Sequence, residues 1–168
     1  LIIRGGHNID PASIEDPLYR LDGVQVAAAV GRPDPHAGEV PVAFVQLQED
    51  ADLSPEKIMD YLQNEIGERA AIPKDIAIVD EVPLTPVGKI FKPALRWQAI
   101  QKTYQSVLED LGDLAESVEV EVSEDKVHGS LAAITIQAGS GATEDQIKDK
   151  VDELLARYTV KYDLKIIK

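Results

Sequence analysis

Lys89 is the residue whose type and setting most plainly suit chemistry. It stands in Pro83-Leu84-Thr85-Pro86-Val87-Gly88-Lys89-Ile90, directly after a glycine, on a loop stiffened by two prolines. From Leu84 to Tyr104 the basic residues are Lys89, Lys92, Arg96 and Lys102, with no acidic residue among them. A lysine displayed in this way meets a carboxylate or a phosphate as a compact point charge. On charge alone, a solvated lysine beside a helix start has the same signature. The Gly88-Lys89 pair is not a phosphate-binding P-loop. That motif needs Ser or Thr after the lysine and a glycine five residues before Gly88, where this chain has Ile90 and Pro83.

Other constellations carry less. His7, His36 and His128 lie in separate segments without ligand spacing, so no metal site is expected. The serines and histidines lack a nucleophile-elbow context. Residues 129 to 141 carry no dinucleotide fingerprint. The helix start at Thr143 already has Glu144 and Asp145 in the first turn, where an anion would sit.

Composition narrows the class. The formal net charge is −13. Residues 1–100 hold 9 basic and 16 acidic groups, and 101–168 hold 8 and 14, so the acidity is spread along the chain. Such a surface repels phosphate backbones and argues against nucleic-acid binding. Hydrophobic residues make up 44%, enough for a packed core. No apolar run approaches the roughly 20 residues that span a bilayer. With no cysteine, disulfides, thiolate metal sites and a thiol nucleophile are excluded, which fits a cytoplasmic location. The chain opens on a strand-like Leu1-Ile2-Ile3, without an initiator Met or a signal peptide. The expectation is a segment of a longer protein.

The elements that must position Lys89 follow from periodicity and turn chemistry. Residues 1–4 read as a short strand, and Gly5-Gly6 permits a tight reversal. Asp10-Pro11 starts a short helix, with Asp10 as N-cap. Strands are expected over 24–30, 40–48 and 74–79, with 31–39 as a loop holding two Gly and two Pro. Ser54-Pro55 opens a helix whose Ile58, Leu62 and Ile66 share one face. After the 82–87 loop, Pro93 starts a long helix to about Leu111. A second module then reads as strands over 118–122 and 131–137, a Thr143–Gln146 capping box, a helix with Ile147, Val151 and Leu155 in its stripe, and a strand over 162–167.

The two modules share a pattern. A shift of 89 lays Val42-Ala43 on Leu131-Ala132, Ser54 on Thr143, Ile58 on Ile147 and Leu62 on Val151. A shift of 88 lays Ile76 on Leu164. Any two ββαβ units share such polarity, but the structural expectation holds either way. The fold class is α+β, with small mixed β-sheets packed with helices in two consecutive ββαβ-type modules. The expected division is 1–111 and 112–168, the second resembling a partial repeat of 24–80.

Two stretches carry a family resemblance. Leu1-Ile2-Ile3-Arg4-Gly5-Gly6-His7-Asn8-Ile9, followed by Ala12, Ile14 and Glu15, resembles the hinge-proximal motif of adenylate-forming enzymes. Pro83, Thr85, Gly88-Lys89-Ile90, Leu95 and Arg96 resemble the motif that contains that family's catalytic lysine. They stand in the family's order, within the C-terminal domain found in acyl-CoA synthetases, peptide-synthetase adenylation domains and luciferases.

The resemblance implies a mobile C-terminal lid of an AMP-forming acyl-CoA synthetase, which turns a carboxylic acid and ATP into an acyl-adenylate and then into a CoA thioester. Lys89 would be catalytic, with Thr85 and Gly88 positioning its loop. Gly5, Gly6 and His7 would line the CoA passage. An N-terminal adenylation domain, absent here with the hinge residue, would bind the acid, ATP and its Mg ion. This segment alone would bind none of them and be inactive. The alternatives are a lid that serves a carrier protein, or a protein-binding module on the same fold with an idle lysine. Residues 117–168 lie beyond the usual family boundary and lack a second Gly-Lys loop.

Overall fold

The computed structural model describes residues 1–168. The chain forms two compact units, Leu1–Arg96 and Trp97–Lys168. The division falls inside the third helix, and the expected 111/112 boundary falls in the 3-10 segment Leu108–Leu114 that follows it.

The first unit begins with a hairpin that the sequence reading only half saw. β1 (Ile2–Arg4) pairs with β2 (His7–Ile9), and Gly5-Gly6 form the two-residue turn between Arg4 and His7. β2 was not expected, because three residues of mixed polarity carry no periodic signal. In α1 (Ala12–Arg20) Pro11 already has helical angles, and the Asp10 carboxylate accepts the Ala12 N–H at 2.9 Å. The sheet continues with β3 (Val24–Asp34), β4 (Gly38–Leu47) and β5 (Ile76–Ile78). Its order is β2-β1-β4-β3, with β5 parallel to β4. Backbone bonds from Lys74 to Pro41 and from Val79 to Val45 carry the β4–β5 ladder over the whole expected 74–79 range.

The expected 31–39 loop is a correction. β3 and β4 run through most of it, and the turn is only residues 35–37. Pro33 and Pro35 suggest a loop, but only Pro35 lies in the turn. Pro33 lies on β3, an edge strand, where a missing donor costs no ladder bond. Pro41 turns its carbonyl to Lys74, on the edge of β4 that meets β1 at Gly38 and β5 from Ile76 onward. No donor is needed at that point.

Small residues on β3 and β4 let the helices approach closely. Ala27, Ala29, Ala43 and Val45 form one core with Ile14 and Leu18 of α1 and Ile58 and Leu62 of α2 (Pro55–Glu65). Burying each such isoleucine or leucine stabilises by about 1.5–3 kcal/mol. The Ser54 hydroxyl caps α2 by accepting from Lys57 N–H at 3.2 Å. The Tyr61 hydroxyl ties α2 to α1 by donating to the Pro17 carbonyl at 2.7 Å.

The second unit has the same plan. It takes in the later part of α3 (Lys92–Val107), the Leu108–Leu114 turns, β6 (Ala115–Asp125), β7 (Gly129–Ala138), α4 (Glu144–Leu155) and β8 (Lys161–Ile167). β6 is antiparallel and β8 parallel to β7, as β3 and β5 are to β4. The capping box at Thr143 forms in both directions, at 3.2 and 2.9 Å. Ile147, Val151 and Leu155 of α4 pack with Val120, Ala132, Ile134 and Ile136 of the sheet.

Register corrects the expected overlay of the strands. Val24/Val26 and Ala115/Ser117 mark matching bulges, and the turns start at Asp34 and Asp125. Each of these carboxylates accepts two backbone N–H groups, from His36 and Ala37 and from Val127 and His128. Gly38 and Gly129, which follow, both have φ +81°. The hairpins therefore correspond at a shift of 91, where 89 was expected. The helices keep 89 and the last strands 88. A shorter loop before α4 absorbs the two residues, and an even slip leaves each side chain on its face.

Candidate functional site

The Lys89 loop is a small, fully bonded hairpin. The Phe91 N–H donates to the Pro83 carbonyl at 2.8 Å, and Leu84 bridges Ile90. Thr85 N–H donates to the Lys89 carbonyl at 2.6 Å, and Gly88 N–H to the Thr85 carbonyl at 2.9 Å. The Thr85 hydroxyl oxygen accepts the Lys89 N–H at 3.1 Å. Gly88 has φ +83°, the left-handed conformation that closes a three-residue hairpin loop, and Pro86 suits the first corner. Three residue types in the motif thus have a local reason. Proline sets φ, threonine supplies an acceptor, and glycine takes the angle that a side chain resists.

The tip is held out to solvent. Pro86, Val87, Gly88 and Lys89 are exposed, with Val87 81% accessible. Lys89 is left without an ion-pair partner. An ammonium with no partner on a rigid tip is ready to meet an anion supplied from elsewhere. The first leg of the hairpin is pinned where the Gln46 side chain of β4 accepts the Val82 N–H at 2.8 Å.

The other motif lies at the opposite end of the same strand. Arg4 pairs with Gly38, the first residue of β4, and Gly5 N–H donates to the Ala37 carbonyl at 2.8 Å. Gly38 and Gln46 are eight residues apart, roughly 27 Å along a strand. The β1–β2 turn and the Lys89 hairpin are therefore anchored at opposite ends of β4, and the structure does not join them in one site. Gly5 carries the positive φ, +55°, whereas Gly6 does not, and the space where a Gly6 side chain would go is open. Gly5, Gly6 and His7 are all exposed. His7 faces Glu68 at 3.6 Å, an exposed pair worth little by itself.

Sequence reasoning missed a basic cleft next to that turn. It has a volume of about 330 Å³ and is lined by Arg4, Arg69 and Lys74 with Met59 and Gln63. Arg4 is held in place by its bond to the Ala70 carbonyl at 2.9 Å. Three cations in a chain of net charge −13 make this a place for an anion. Their separation along the sequence hid it, since no local charge run links Arg4 to Arg69. No group of three or more histidine or acidic side chains is gathered that could hold a metal ion.

Residues 13–89 match the AMP-binding enzyme C-terminal domain. The marinolic acid–CoA ligase of Pseudoalteromonas is 40% identical over 157 residues, covering 92% of this chain and 24% of that protein. A salicylyl-CoA synthase / salicylate adenylyltransferase of Streptomyces is 43% identical over 96 residues, 57% of this chain and 17% of its own. Among solved structures, a Mycobacterium tuberculosis fatty acyl CoA synthetase aligns over 58% of this chain and 19% of its own, at 35% identity and TM-score 0.53. An amide bond synthetase from Marinactinospora thermotolerans aligns over 56% and 19%, at 33% identity and TM-score 0.53. The first unit carries the C-terminal domain of the adenylate-forming enzyme family. The chain spans about a quarter or less of the curated relatives that it matches. No helix is long and apolar enough to cross a membrane.

Proposed function

We propose that this chain is the mobile C-terminal lid of an AMP-forming acyl-CoA synthetase, with residues 1–111 as the lid and 112–168 as an appended module. The N-terminal adenylation domain would supply the sites for the carboxylic acid and for ATP with its ion. In the first half-reaction a carboxylate oxygen attacks the α-phosphorus of ATP and pyrophosphate leaves. Lys89 would stand between the two anions, reducing their repulsion and the charge that builds up in the transition state. In the second, the CoA thiolate attacks the acyl carbonyl and AMP leaves. Gly5 and Gly6 would then leave the pantetheine path clear, and the cleft of Arg4, Arg69 and Lys74 would take a phosphate of CoA.

The observation that carries the reading is the placement of the two motifs at opposite ends of β4. One active site cannot receive both ends of a rigid sheet at once, so two half-reactions that use them in turn require the domain to swing. The basic cleft favours CoA over a carrier protein as acceptor, because CoA adds nucleotide phosphates to the one that a carrier's pantetheine arm also has.

The test is a chimaera in which this chain replaces the matching 157-residue segment of the marinolic acid–CoA ligase. Lys89→Ala should slow adenylate formation roughly 10²–10³-fold, about 3–4 kcal/mol, yet convert a supplied acyl-adenylate to thioester at a near-normal rate. Adenylate formation unimpaired by Lys89→Ala would reduce the residue to a surface lysine and favour the protein-binding module.

A further inference from the structure

Lys92 is the first residue of α3, where a cation faces the positive end of the helix dipole. Something else must favour it there, and that is Glu15. The Lys92 ammonium lies 2.8 Å from Oε2 of Glu15, in the first turn of α1. The same oxygen accepts the backbone N–H of Ala29 at 3.0 Å. Ala29 lies midway along β3, the edge strand of the sheet, and is buried. Its donor is therefore spent outside the ladder with β4, on a carboxylate whose side chain is only 17% exposed.

This pair differs from an ordinary surface ion pair, which fixes little because both side chains move. Here the carboxylate is itself seated on a backbone donor of the sheet, so Lys92 is tied to β3 and not to a free side chain. Two residues lie between Lys92 and Lys89, and the backbone there is closed by the Phe91–Pro83 bond and the Leu84–Ile90 bridge. With Gln46 holding Val82, both legs of the hairpin are fastened to the sheet by a side-chain carbonyl or carboxylate.

We infer that Glu15 is a positioning residue for adenylation: its carboxylate, seated on the Ala29 N–H, fixes Lys92 and thereby the placement of the Lys89 hairpin. This rests on the role proposed above for Lys89. Shifting a reacting group by about 1 Å can cost on the order of 10²-fold in rate, so a loosened base is enough to matter.

Glu15→Gln retains the volume and an oxygen for Ala29 but has no charge for Lys92. Lys92→Met breaks the pair from the exposed side, and Lys92→Arg keeps it. In this chain, amide hydrogen exchange at Thr85, Gly88, Lys89 and Phe91 should speed up about fivefold or more in Glu15→Gln and Lys92→Met. It should return towards the original rate in Lys92→Arg. In the chimaera both pair-breaking variants should lower adenylate formation roughly tenfold to a hundredfold. Thioester formation from supplied adenylate should be unchanged, and the double variant should be no worse than either single one. If exchange and adenylation stay unchanged while Lys89→Ala abolishes adenylation, the positioning role is overturned and the proposed function stands. If Lys89→Ala is harmless, the proposed function falls and takes the catalytic half of this inference with it. The exchange rates then decide alone whether the clamp holds the hairpin.

Discussion

Replacing Gly88 by alanine isolates a single physical term. Gly88 has φ +83°, and a Cβ added there meets nothing within 4 Å. The substitution therefore brings backbone strain and no steric clash. For a residue with a side chain the left-handed conformation costs roughly 1–2 kcal/mol. Against this stand the three hydrogen bonds of the tip, from Thr85 N–H, Gly88 N–H and Lys89 N–H. Exposed bonds of this kind contribute about 0.5–1.5 kcal/mol each, towards the lower end where water competes. Penalty and reward are of similar size, so Gly88→Ala should leave the tip open for a large share of the time. The closed fraction should fall by roughly 5–30-fold relative to open, read as faster amide exchange at Thr85 and Lys89. Gly88→Asn should lose much less, because asparagine tolerates this region. Stability of the whole chain should hardly change, since the strain is relieved by local opening. In the chimaera, adenylation should fall as the competent fraction falls. Exchange rates for Gly88→Ala equal to the original would show that the positive φ does not hold the tip, and the argument for the glycine would fail.

Three further outcomes follow from the geometry. Gly6→Leu meets open space and no positive φ, so it should leave stability and adenylation intact and slow thioester formation in the chimaera; equal loss in both half-reactions would remove the passage role. Gly139→Ala would drive its Cβ into the Asp113 carbonyl oxygen, with further backbone atoms of residues 113 and 114 at 3.1 and 3.2 Å, so the second unit should lose about 1–3 kcal/mol or more in chemical denaturation, and no loss would contradict this packing. Burial works to raise the Asp34 carboxyl, but the N–H groups of Ala37 and His36, with the nearby His36 and Arg32 side chains, together outweigh it and hold it below the usual range. A depressed folded pKa contributes stability that is complete above about pH 4 and is lost as pH falls through the folded value. Asp34→Asn should flatten that acid limb in denaturation curves, and an identical limb in the variant would place the dependence elsewhere.

How much of this was legible depended on whether the cause was local. The Thr143 capping box, the Ile58–Leu62 and Ile147–Val151 stripes and the Lys89 loop each rest on neighbours within four residues, and the structure has them where the sequence put them. The 31–39 stretch misled because a proline's cost depends on which edge its missing donor faces, a fact of sheet topology. The two-residue slip between modules was hidden because both alignments keep the same alternation. The Arg4, Arg69 and Lys74 cleft and the Glu15–Lys92 clamp join residues 65 to 77 positions apart, and no local pattern encodes such a meeting.

Two hairpins of one plan in a single chain create a hazard during folding, since a strand of one can pair in the place of the other. The matched register shows what opposes it. At the shift of 91, Ala28 and Val30 of β3 correspond to Glu119 and Glu121 of β6. The first two are buried and the second two exposed. A β6 strand that entered the first sheet would bring two carboxylates to buried positions, at a cost of several kcal/mol for each uncompensated charge. The glutamates that alternate along β6 thus act as a return address, sending the strand back to its own sheet. Glu119→Ala with Glu121→Val would erase that address, and refolding at high concentration should then yield exchanged dimers that the unaltered chain avoids.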